Sequence, residues 1–396
     1  MNMKWLSDWF EKIEPKGKWA WLGSTYEAFH TFAFTPKTVT KSGSHIRDAV
    51  DMKRSIIIVV IALIPALLFG MWNIGYQHYT NCYPLPTIHY PLITYWWFGF
   101  LRMLPMIVVS YAVGLFIEFA FAQVRHHEVN EGFLATGLLI PMIVPVTTPL
   151  WQLALAVAFA VIIGKEVFGG SGMNFLNPAL VARAFLFFAY PTHMSGDKVW
   201  IANDLWGSDA IAGATPMGEL AAGMHPSASA LDMLIGTIPG STCETSVIAI
   251  ALGALLLLFT GIASWRIMLS VFLGGGAMGL LFNAIGYNEY MQLPFYYHFL
   301  MGGFAFGAVF MATDPVTAAQ TNTGKWIYGL LIGAFAVLLR VCNPAYPEGM
   351  MLSILFMNCM APLIDHCVVA RNIKRRTSRT STTSLTSSTR KEAHNG

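Results

Sequence analysis

Charged residues are scarce in this chain. Of its 396 residues, 11% are Asp, Glu, Lys or Arg and 55% are hydrophobic, and the mean hydropathy is +0.54. A soluble domain carries roughly 25% charged residues, so this composition excludes a soluble globular protein. Apolar runs long enough to cross the ~30 Å hydrocarbon layer as helices recur along the sequence. We therefore predict an all-α polytopic membrane protein.

Motifs for metal clusters and nucleotides are also missing. The five cysteines form no C-x-x-C pair, so this chain alone cannot hold an iron–sulfur cluster by any familiar spacing. The glycine-rich run 164–174 lacks the order of a Walker loop or of a dinucleotide fingerprint. Its glycines allow either the approach of a planar or anionic ligand to the backbone or the close packing of helices. The net charge is only +3, and we expect no nucleic-acid partner.

Ten apolar spans are predicted, and two of them are short. Residues 131–145 and 177–191 are short for a full crossing, so we expect tilted or broken helices that other parts of the protein shield. The ten spans begin near Arg54, Pro91, Glu131, Trp151, Asn177, Glu244, Arg266, Pro294, Lys325 and Glu348.

Three short motifs occur twice in the same order. Pro-Val-Thr stands at 145–147 and 315–317, Gly-Lys at 164–165 and 324–325, and Asn-Pro-Ala at 177–179 and 343–345. In the span count the two copies of each motif lie on opposite membrane faces, which predicts two inverted five-helix repeats with interrupted helices. Many carriers and channels use that arrangement to build a site near the bilayer midplane. A secondary transporter or channel is therefore one functional hypothesis.

Lys and Arg are concentrated at the two ends of the chain. By the positive-inside rule both termini are cytoplasmic, as an even number of spans requires. The chain then divides into a cytoplasmic N-terminal region (1–53), a first transmembrane repeat (54–191), an external loop (192–243), a second transmembrane repeat (244–370) and a cytoplasmic tail (371–396). The tail is rich in Ser and Thr and poor in apolar residues, so we expect it to be disordered.

Three acidic residues stand inside apolar runs, where an unpaired charge is costly. Glu118 lies among phenylalanines, Asp314 precedes a proline that leaves backbone carbonyls without partners, and Asp365 follows an apolar run. Carboxylates with neighbouring carbonyls suit a monovalent cation or a proton. The alternative is structural pairing with Arg102 or Arg183.

The external loop contains Asp209-Ala-Ile-Ala-Gly-Ala-Thr215. A threonine hydroxyl in a turn of small residues is sterically open, so an external enzyme has access to it. Gly, Ala and Thr are also common in ordinary surface turns, and so short a motif often occurs by chance. The motif alone leaves both interpretations open.

Several longer segments together resemble one family. They are Glu-Val-Asn-Glu-Gly-Phe at 128–133, Lys-Glu-Val-Phe-Gly-Gly at 165–170, Asn-Phe-Leu-Asn-Pro-Ala at 174–179, the Gly-Ala-Thr that ends at Thr215, Ile-Pro-Gly-Ser at 238–241 and Ala-Thr-Asp-Pro-Val at 312–316. This set is similar to the B subunit of the bacterial sodium-translocating NADH:quinone oxidoreductase and to the related D subunit of the Rnf complex. The long N-terminal region, with Ser-His-Ile-Arg-Asp at 44–48, favours the quinone reductase. The resemblance covers about residues 1–370.

The resemblance implies two flavins. A flavin transferase acting outside the membrane would esterify Thr215 to the phosphate of FMN. Here Ala212 stands where Ser or Thr is usual, while the upstream Asp209 is present. Noncovalent riboflavin is implied as well, and Asn174 and Asn177 are the positions that match its site.

The resemblance also implies a cation path and a quinone site. Its sodium-linked acids match Glu118, Asp314 and Asp365, the three acids that stand inside apolar runs. A pair of glycines near the quinone in the family corresponds here to Gly114-Leu115, so only Gly114 matches.

The function implied by the resemblance is that of one membrane subunit in a six-subunit sodium pump of the bacterial inner membrane. Electrons from NADH, oxidised on a partner subunit, would pass through FMN and riboflavin to quinone, and sodium export would be coupled to that transfer. Two alternatives remain. The chain is an Rnf-type electron-transport subunit, or it is a transporter or channel in the lipid membrane that carries no flavin.

Overall fold

All regular structure in the described part of the chain is helical. The computed structural model describes residues 52–82, 91–125, 132–202, 213–343 and 349–392, together with residues 26, 30, 40 and 42–46 of the N-terminal region. Its helices are α1 (Met52–Cys82), α2 (Leu92–Arg125), α3 (Phe133–Ile143), α4 (Leu150–Gly164), α5 (Pro178–Ala189), α6 (Pro216–Ala221), α7 (Ala230–Ile235), α8 (Val247–Phe259), α9 (Trp265–Ile285), α10 (Glu289–Gln292), α11 (Tyr297–Leu300), α12 (Phe304–Phe306), α13 (Asn322–Cys342) and α14 (Gly349–Glu392). A π-helical turn, Gly307–Met311, continues α12. Within these residues no β-strand occurs, as the composition predicts.

Six helices are long and apolar enough to cross a membrane, and they make the chain a multi-pass membrane protein. Their spans are Arg54–Asn81, Leu92–Arg125, Leu150–Phe168, Trp265–Ile285, Asn322–Cys342 and Gly349–Ser378. Three shorter apolar helices, α3, α5 and α8, have 10–17 residues each. At ~1.5 Å per residue these three are shorter than the ~30 Å hydrocarbon layer.

The ten predicted spans all correspond to helical segments. The expected short length of the spans that begin near Glu131 and Asn177 is confirmed by α3 and α5. Two further features were not predicted, namely the short α8 and the division of the span near Pro294 into α11 and α12. Gly302 and Gly303 separate those two helices with φ angles of 58° and 64°, a left-handed conformation that ends a helix and that other residues rarely adopt.

The two halves of the chain have two helix contacts in common. In the first half α2 packs on α4 and α4 packs on α5, and in the second half α9 packs on α13 and α13 packs on α14. The halves meet through their first helices, α1 and α8, and through their fifth helices, α5 and α14. The first Pro-Val-Thr motif follows α3, and the second follows the π turn after α12. Both motifs therefore come after the third predicted span of their half, and that span is short or interrupted in each case. The extensive contact between α1 and α2 has no counterpart between α8 and α9, and the inverted repeat stays a prediction.

The chain ends differ in how far they are described. Most of the N-terminal region 1–53 lies outside the described residues, so its predicted organisation stays a prediction. At the other end α14 continues to Glu392, whereas composition favours disorder from residue 371. The helix continues because neither proline nor glycine interrupts the sequence between Pro362 and Glu392.

Candidate cofactor and cation sites

A cavity of about 400 Å³ lies where the two halves of the molecule meet. We call it the inter-repeat cavity. The first half lines it with the start of α1, one face of α3 and the loop 165–177, and the second half with the end of α8, Phe310 and residues 313–316. Its wall is mostly apolar, and its polar side chains are those of Ser55, Thr136, Lys165, Ser171, Asn174, Asn177, Thr313 and Asp314.

The glycine-rich loop shapes one wall of the inter-repeat cavity. Gly169, Gly170 and Gly172 have φ angles of 120°, 95° and 89°, which residues with a side chain rarely adopt. A Cβ atom on Gly172 would meet no other atom within 4 Å, so this glycine serves backbone conformation and not close helix packing. Asn174 fixes the turn, because its Oδ1 accepts from the backbone N–H of Gly172 at 3.3 Å and its Nδ2 donates to the carbonyl of Leu176 at 3.0 Å.

Two of the predicted site residues meet across the boundary between the halves. Asn177 caps α5, since its Oδ1 accepts from the backbone N–H groups of Ala179 at 3.0 Å and Leu180 at 3.4 Å. Its Nδ2 donates to the Asp314 carboxylate at 3.2 Å, although the two residues are 137 positions apart. The same carboxylate accepts from the Thr317 hydroxyl and the Val316 backbone N–H, each at 3.1 Å. Within the described residues Asp314 forms no ion pair.

Ser171 has a buried hydroxyl group in the wall of the inter-repeat cavity. Its Oγ finds no hydrogen-bond partner among the described residues. A buried polar group without a partner is destabilising, and it is therefore ready to bind a ligand. Sequence reasoning did not single out Ser171, because a serine in a glycine-rich run gives no signal of its own.

Glu118 is paired, and its partner is a residue that the sequence did not suggest. It forms a buried ion pair with Lys165, whereas pairing with Arg102 or Arg183 was the predicted alternative to a cation site. The side chains of Glu118 and Lys165 are 4% and 5% exposed. The Lys165 ammonium group also lies 6.0 Å from the centre of the Phe133 ring, within reach of a cation–π interaction.

A second ion pair adjoins the first one. Arg125 Nη1 lies 3.5 Å from the Glu166 carboxylate, and Arg125 Nη2 donates to the Glu166 carbonyl oxygen at 2.8 Å. Glu166 follows Lys165 in the chain, so the two ion pairs are adjacent. Arg125, Glu166, Lys165 and Glu118 therefore form a row in which basic and acidic side chains alternate, beginning at the end of α2. Neither Arg125 nor Glu166 contributes to the wall of the inter-repeat cavity.

Asp365 lies apart from the inter-repeat cavity. Its carboxylate accepts from the backbone N–H groups of Gln320 at 2.6 Å and Thr321 at 3.0 Å, and from the Thr321 hydroxyl. These bonds hold the start of α13. Of the predicted site residues, Asn174, Asn177 and Asp314 line the inter-repeat cavity. Asp365 and Gly114 do not.

Gly114 has a packing role. A Cβ atom at this position would overlap the Phe133 ring, so the glycine allows the fully buried Phe133 to pack against α2. This contact explains why a glycine is needed here, and the expected quinone site stays a prediction.

Thr215 caps a short helix in the loop between the two halves. Its Oγ1 accepts from the backbone N–H of Gly218 at 3.0 Å and thereby caps α6. It lines a cavity of about 50 Å³ together with the Ile-Pro-Gly-Ser segment 238–241, Glu244 and residues 300–303. This space is smaller than a typical small-molecule pocket of ~300–1,000 Å³. Asp209 and Ala212 lie outside the described residues.

Two buried arginines close the helix ends beside the Thr215 cavity. Arg183 pairs with Glu244 at 3.1 Å and donates to the Ser241 hydroxyl at 3.1 Å and to the carbonyl that ends α3. Arg340 donates to the carbonyls of residues 298, 301 and 302 at 2.7, 3.1 and 2.7 Å. Sequence reasoning missed Glu244 as a partner, and its only signal was an acid at the start of an apolar run. Within the described part of the chain no cluster of three His, Cys, Asp or Glu side chains could hold a metal ion.

Comparison with known proteins gives one consistent result. The model of the NQR2, RnfD, RnfE family matches residues 39–374 of this chain. The chain is 50% identical to the B subunit of the Na(+)-translocating NADH-quinone reductase of Ectopseudomonas mendocina (strain ymp), with 93% of this chain and 96% of that protein covered. It is 49% identical to the protein of the same name from Stutzerimonas stutzeri (strain A1501), again with 93% of this chain and 96% of that protein covered. It is 48% identical to the one from Chromohalobacter salexigens, with 93% and 95% covered.

Proposed function

The chain belongs to the NQR2, RnfD, RnfE family, and we propose that it is the B subunit of a sodium-translocating NADH-quinone reductase. Relatives at 48–50% identity carry this name, and the match covers 95–96% of their length. In that role it works within a membrane complex whose other subunits oxidise NADH. The observation that carries the electron-transfer role is the inter-repeat cavity with its convergent polar groups.

The inter-repeat cavity is our candidate site for riboflavin. Its volume of about 400 Å³ lies in the range of small-molecule sites, and its wall is apolar with a few polar groups. The Ser171 hydroxyl needs a partner, and a flavin ring offers acceptors and donors at its edge. Riboflavin supplies the capacity to accept and release electrons. The protein residues hold it, with Ser171 as a hydrogen-bond donor and with Asn174 and Asn177 shaping the wall.

Thr215 is our candidate for the covalent attachment of FMN by a flavin transferase. Its hydroxyl lies at the start of α6 beside the segment 238–241, the two features that carry the family resemblance in this region. The cavity of about 50 Å³ is too small for a flavin ring, so in this proposal the ring extends beyond it. Quinone is proposed to bind near Gly114, on the part of α2 that packs against Phe133.

Asp314 is the best placed of the three candidate sodium ligands. It lies in the wall of the inter-repeat cavity and has three hydrogen-bond donors but no ion-pair partner among the described residues. Glu118 is neutralised by Lys165, and Asp365 is held by backbone N–H groups. Coupling requires that sodium bind one redox state more tightly than the other. A carboxylate in the wall of a flavin site meets this requirement, since added negative charge on the ring attracts a cation.

The covalent flavin provides the test of this function. Thr215→Ala removes the hydroxyl, and we expect complete loss of flavin fluorescence from the denatured chain while the protein still inserts into the membrane. Mass spectrometry of the peptide that contains Thr215 should show the mass of an FMN ester in the wild type only. Thr148→Ala is the matched control, because it removes a different threonine hydroxyl and should leave the fluorescence unchanged. Full fluorescence in Thr215→Ala would contradict the attachment.

Two other functions make different predictions for the same preparation. A flavin-free transporter or channel would show no flavin fluorescence in the wild type. An Rnf-type protein would not co-purify with the NADH-oxidising flavoprotein subunit of a quinone reductase. The names of the relatives at 48–50% identity favour the quinone reductase over both.

A further inference from the structure

One aromatic side chain lines the Thr215 cavity. Among the described residues of its wall, Trp200 is the only aromatic one, and its side chain is half-buried. Every other tryptophan in the described part of the chain contacts another aromatic ring. Trp200 has no such contact there. Its indole ring therefore has a capacity for stacking that the protein itself does not use.

Hydrogen bonds on both sides of Trp200 hold its backbone in place. The carbonyl of Val199 accepts from the Thr147 hydroxyl at 2.8 Å, and the carbonyl of Ala202 accepts from the His78 ring at 2.6 Å. Val199 and Ala202 are themselves buried. The indole ring is thus presented from an anchored segment, as a binding group should be.

The residues around Trp200 also pack against the Gly-Ala-Thr motif. The Asp197 carbonyl accepts from the Gly213 N–H at 2.7 Å. A Cβ atom on Gly213 would lie 2.3 Å from the buried Ile201 side chain, so the glycine of the motif allows this close approach. Direct contacts between the two segments therefore bring Trp200 and Thr215 to the same cavity.

We propose that the indole ring of Trp200 is the platform on which the ring of the flavin attached to Thr215 stacks. This inference rests on the proposed function, because it requires the covalent flavin. The flavin ring is too large for the Thr215 cavity of about 50 Å³, so it lies outside the cavity, against the half-buried aromatic residue of the wall. Indole and flavin are both flat, one electron-rich and the other electron-poor, and such rings attract each other when stacked. Stacking orders a ring that the ester and the ribityl chain alone leave free to rotate.

The test is the fluorescence of the covalent flavin in the purified full-length chain, produced together with the flavin transferase. The Thr215→Ala chain supplies the baseline for subtraction, because it lacks only the covalent flavin. An indole in contact with a flavin quenches its fluorescence by donating an electron to the excited ring. We expect the native wild type to be about tenfold dimmer than the same chain after protease digestion, the factor by which an aromatic side chain typically favours a stacked ring over a free one.

Three variants separate Trp200 from its surroundings. Trp200→Leu removes the platform, so the native fluorescence should rise to that of the digest and its anisotropy should fall. Trp200→Phe retains a flat ring that does not donate an electron, so the fluorescence should rise while the anisotropy stays high. Trp151→Leu is the matched control, because Trp151 is exposed, contacts the Tyr190 ring at 5.4 Å and lies outside the cavity wall. Both readouts should be unchanged in it.

The outcomes distinguish this inference from the function on which it rests. A digested wild-type chain without flavin would refute the attachment at Thr215. With flavin attached, native fluorescence equal to that of the digest, or fluorescence that stays low in Trp200→Leu, would refute stacking on Trp200 and leave the attachment standing. Equal brightening in Trp151→Leu would also refute it. If Trp200→Leu receives no flavin, Trp200→Phe takes its place, and low native fluorescence in that variant would likewise refute the proposal.

Discussion

Ser171 gives the inter-repeat cavity a binding group that has no role inside the protein. The buried polar side chains Asn174 and Asn177 are already used, one to fix the loop and one to cap α5. The Ser171 hydroxyl lacks such a partner among the described residues. Its removal therefore takes nothing from the fold, which makes it the most specific probe of a ligand in the cavity.

Ser171→Ala should lower the affinity for riboflavin without lowering stability. One hydrogen bond contributes ~1 kcal/mol, which corresponds to an about fivefold weaker affinity. The measurement is the riboflavin released on denaturation after dialysis of the purified complex, together with its thermal unfolding midpoint.

Ser110→Ala is the matched control for that experiment. Ser110 is fully buried, and its hydroxyl donates to the carbonyl of Gly137 at 2.8 Å. Its loss should lower the unfolding midpoint and leave riboflavin bound. Equal riboflavin retention in Ser171→Ala and the wild type would contradict a ligand contact at Ser171.

The sequence predicts individual polar residues better than their partners. Asp314 stands out because a carboxylate in an apolar run needs a reason, whereas Asn177 was predicted from the family resemblance; both lie at the inter-repeat cavity. Their contact across 137 positions depends on how the two halves pack. The same holds for Glu118 and Lys165, which are 47 positions apart. Local sequence carries no information on such pairs.

Asp365 shows how one helix fixes the start of another. It belongs to α14, and it accepts from two backbone N–H groups and one hydroxyl at the start of α13. Gly324 makes this approach possible, because a Cβ atom there would lie 2.5 Å from the Asp365 carboxylate. The carboxylate thereby holds Thr321, the residue whose hydroxyl caps α13 by accepting from the Gly324 N–H.

Asp365→Ala should destabilise the protein by about 1–2 kcal/mol, since Gln320 and the capping residue Thr321 lose their acceptor. Asp365→Asn retains one acceptor oxygen and should cost less. Both are measured as thermal unfolding midpoints in detergent. A midpoint that is unchanged in Asp365→Ala would exclude the capping role.

The same two variants examine Asp365 as a sodium ligand. If the charge binds sodium, Asp365→Asn should raise the sodium concentration for half-maximal quinone reduction at normal flavin content. An unchanged sodium dependence would leave only the capping role.

Helix starts are predictable here, and helix lengths are less so. Prolines, a capping asparagine and changes in hydropathy mark the beginnings of the spans, so all ten correspond to helical segments. The short α8 and the break between α11 and α12 depend on tertiary contacts. A break at membrane depth is tolerated only where protein shields the backbone, and Arg340, which lies on α13, donates to the carbonyls exposed there.

The whole molecule is expected to have both termini in the cytoplasm and the Thr215 loop outside. A reporter fused after Lys198 should therefore read as external, and one fused after Arg376 as cytoplasmic. The physical reason is the concentration of Lys and Arg at the two ends of the chain. The reverse result would overturn the orientation and, with it, the exposure of Thr215 to an external flavin transferase.

The carboxylate between the halves has no counterpart in the other repeat. Asp314 directly precedes Pro315-Val316-Thr317, whereas the residue before Pro145-Val146-Thr147 is Val144, which is fully buried. A frame built from two inverted copies is the same viewed from either side of the membrane, and so it has no preferred direction. One acidic residue present in a single copy removes that equivalence. Differences of this kind between the two segments would give a pump built on this scaffold its direction.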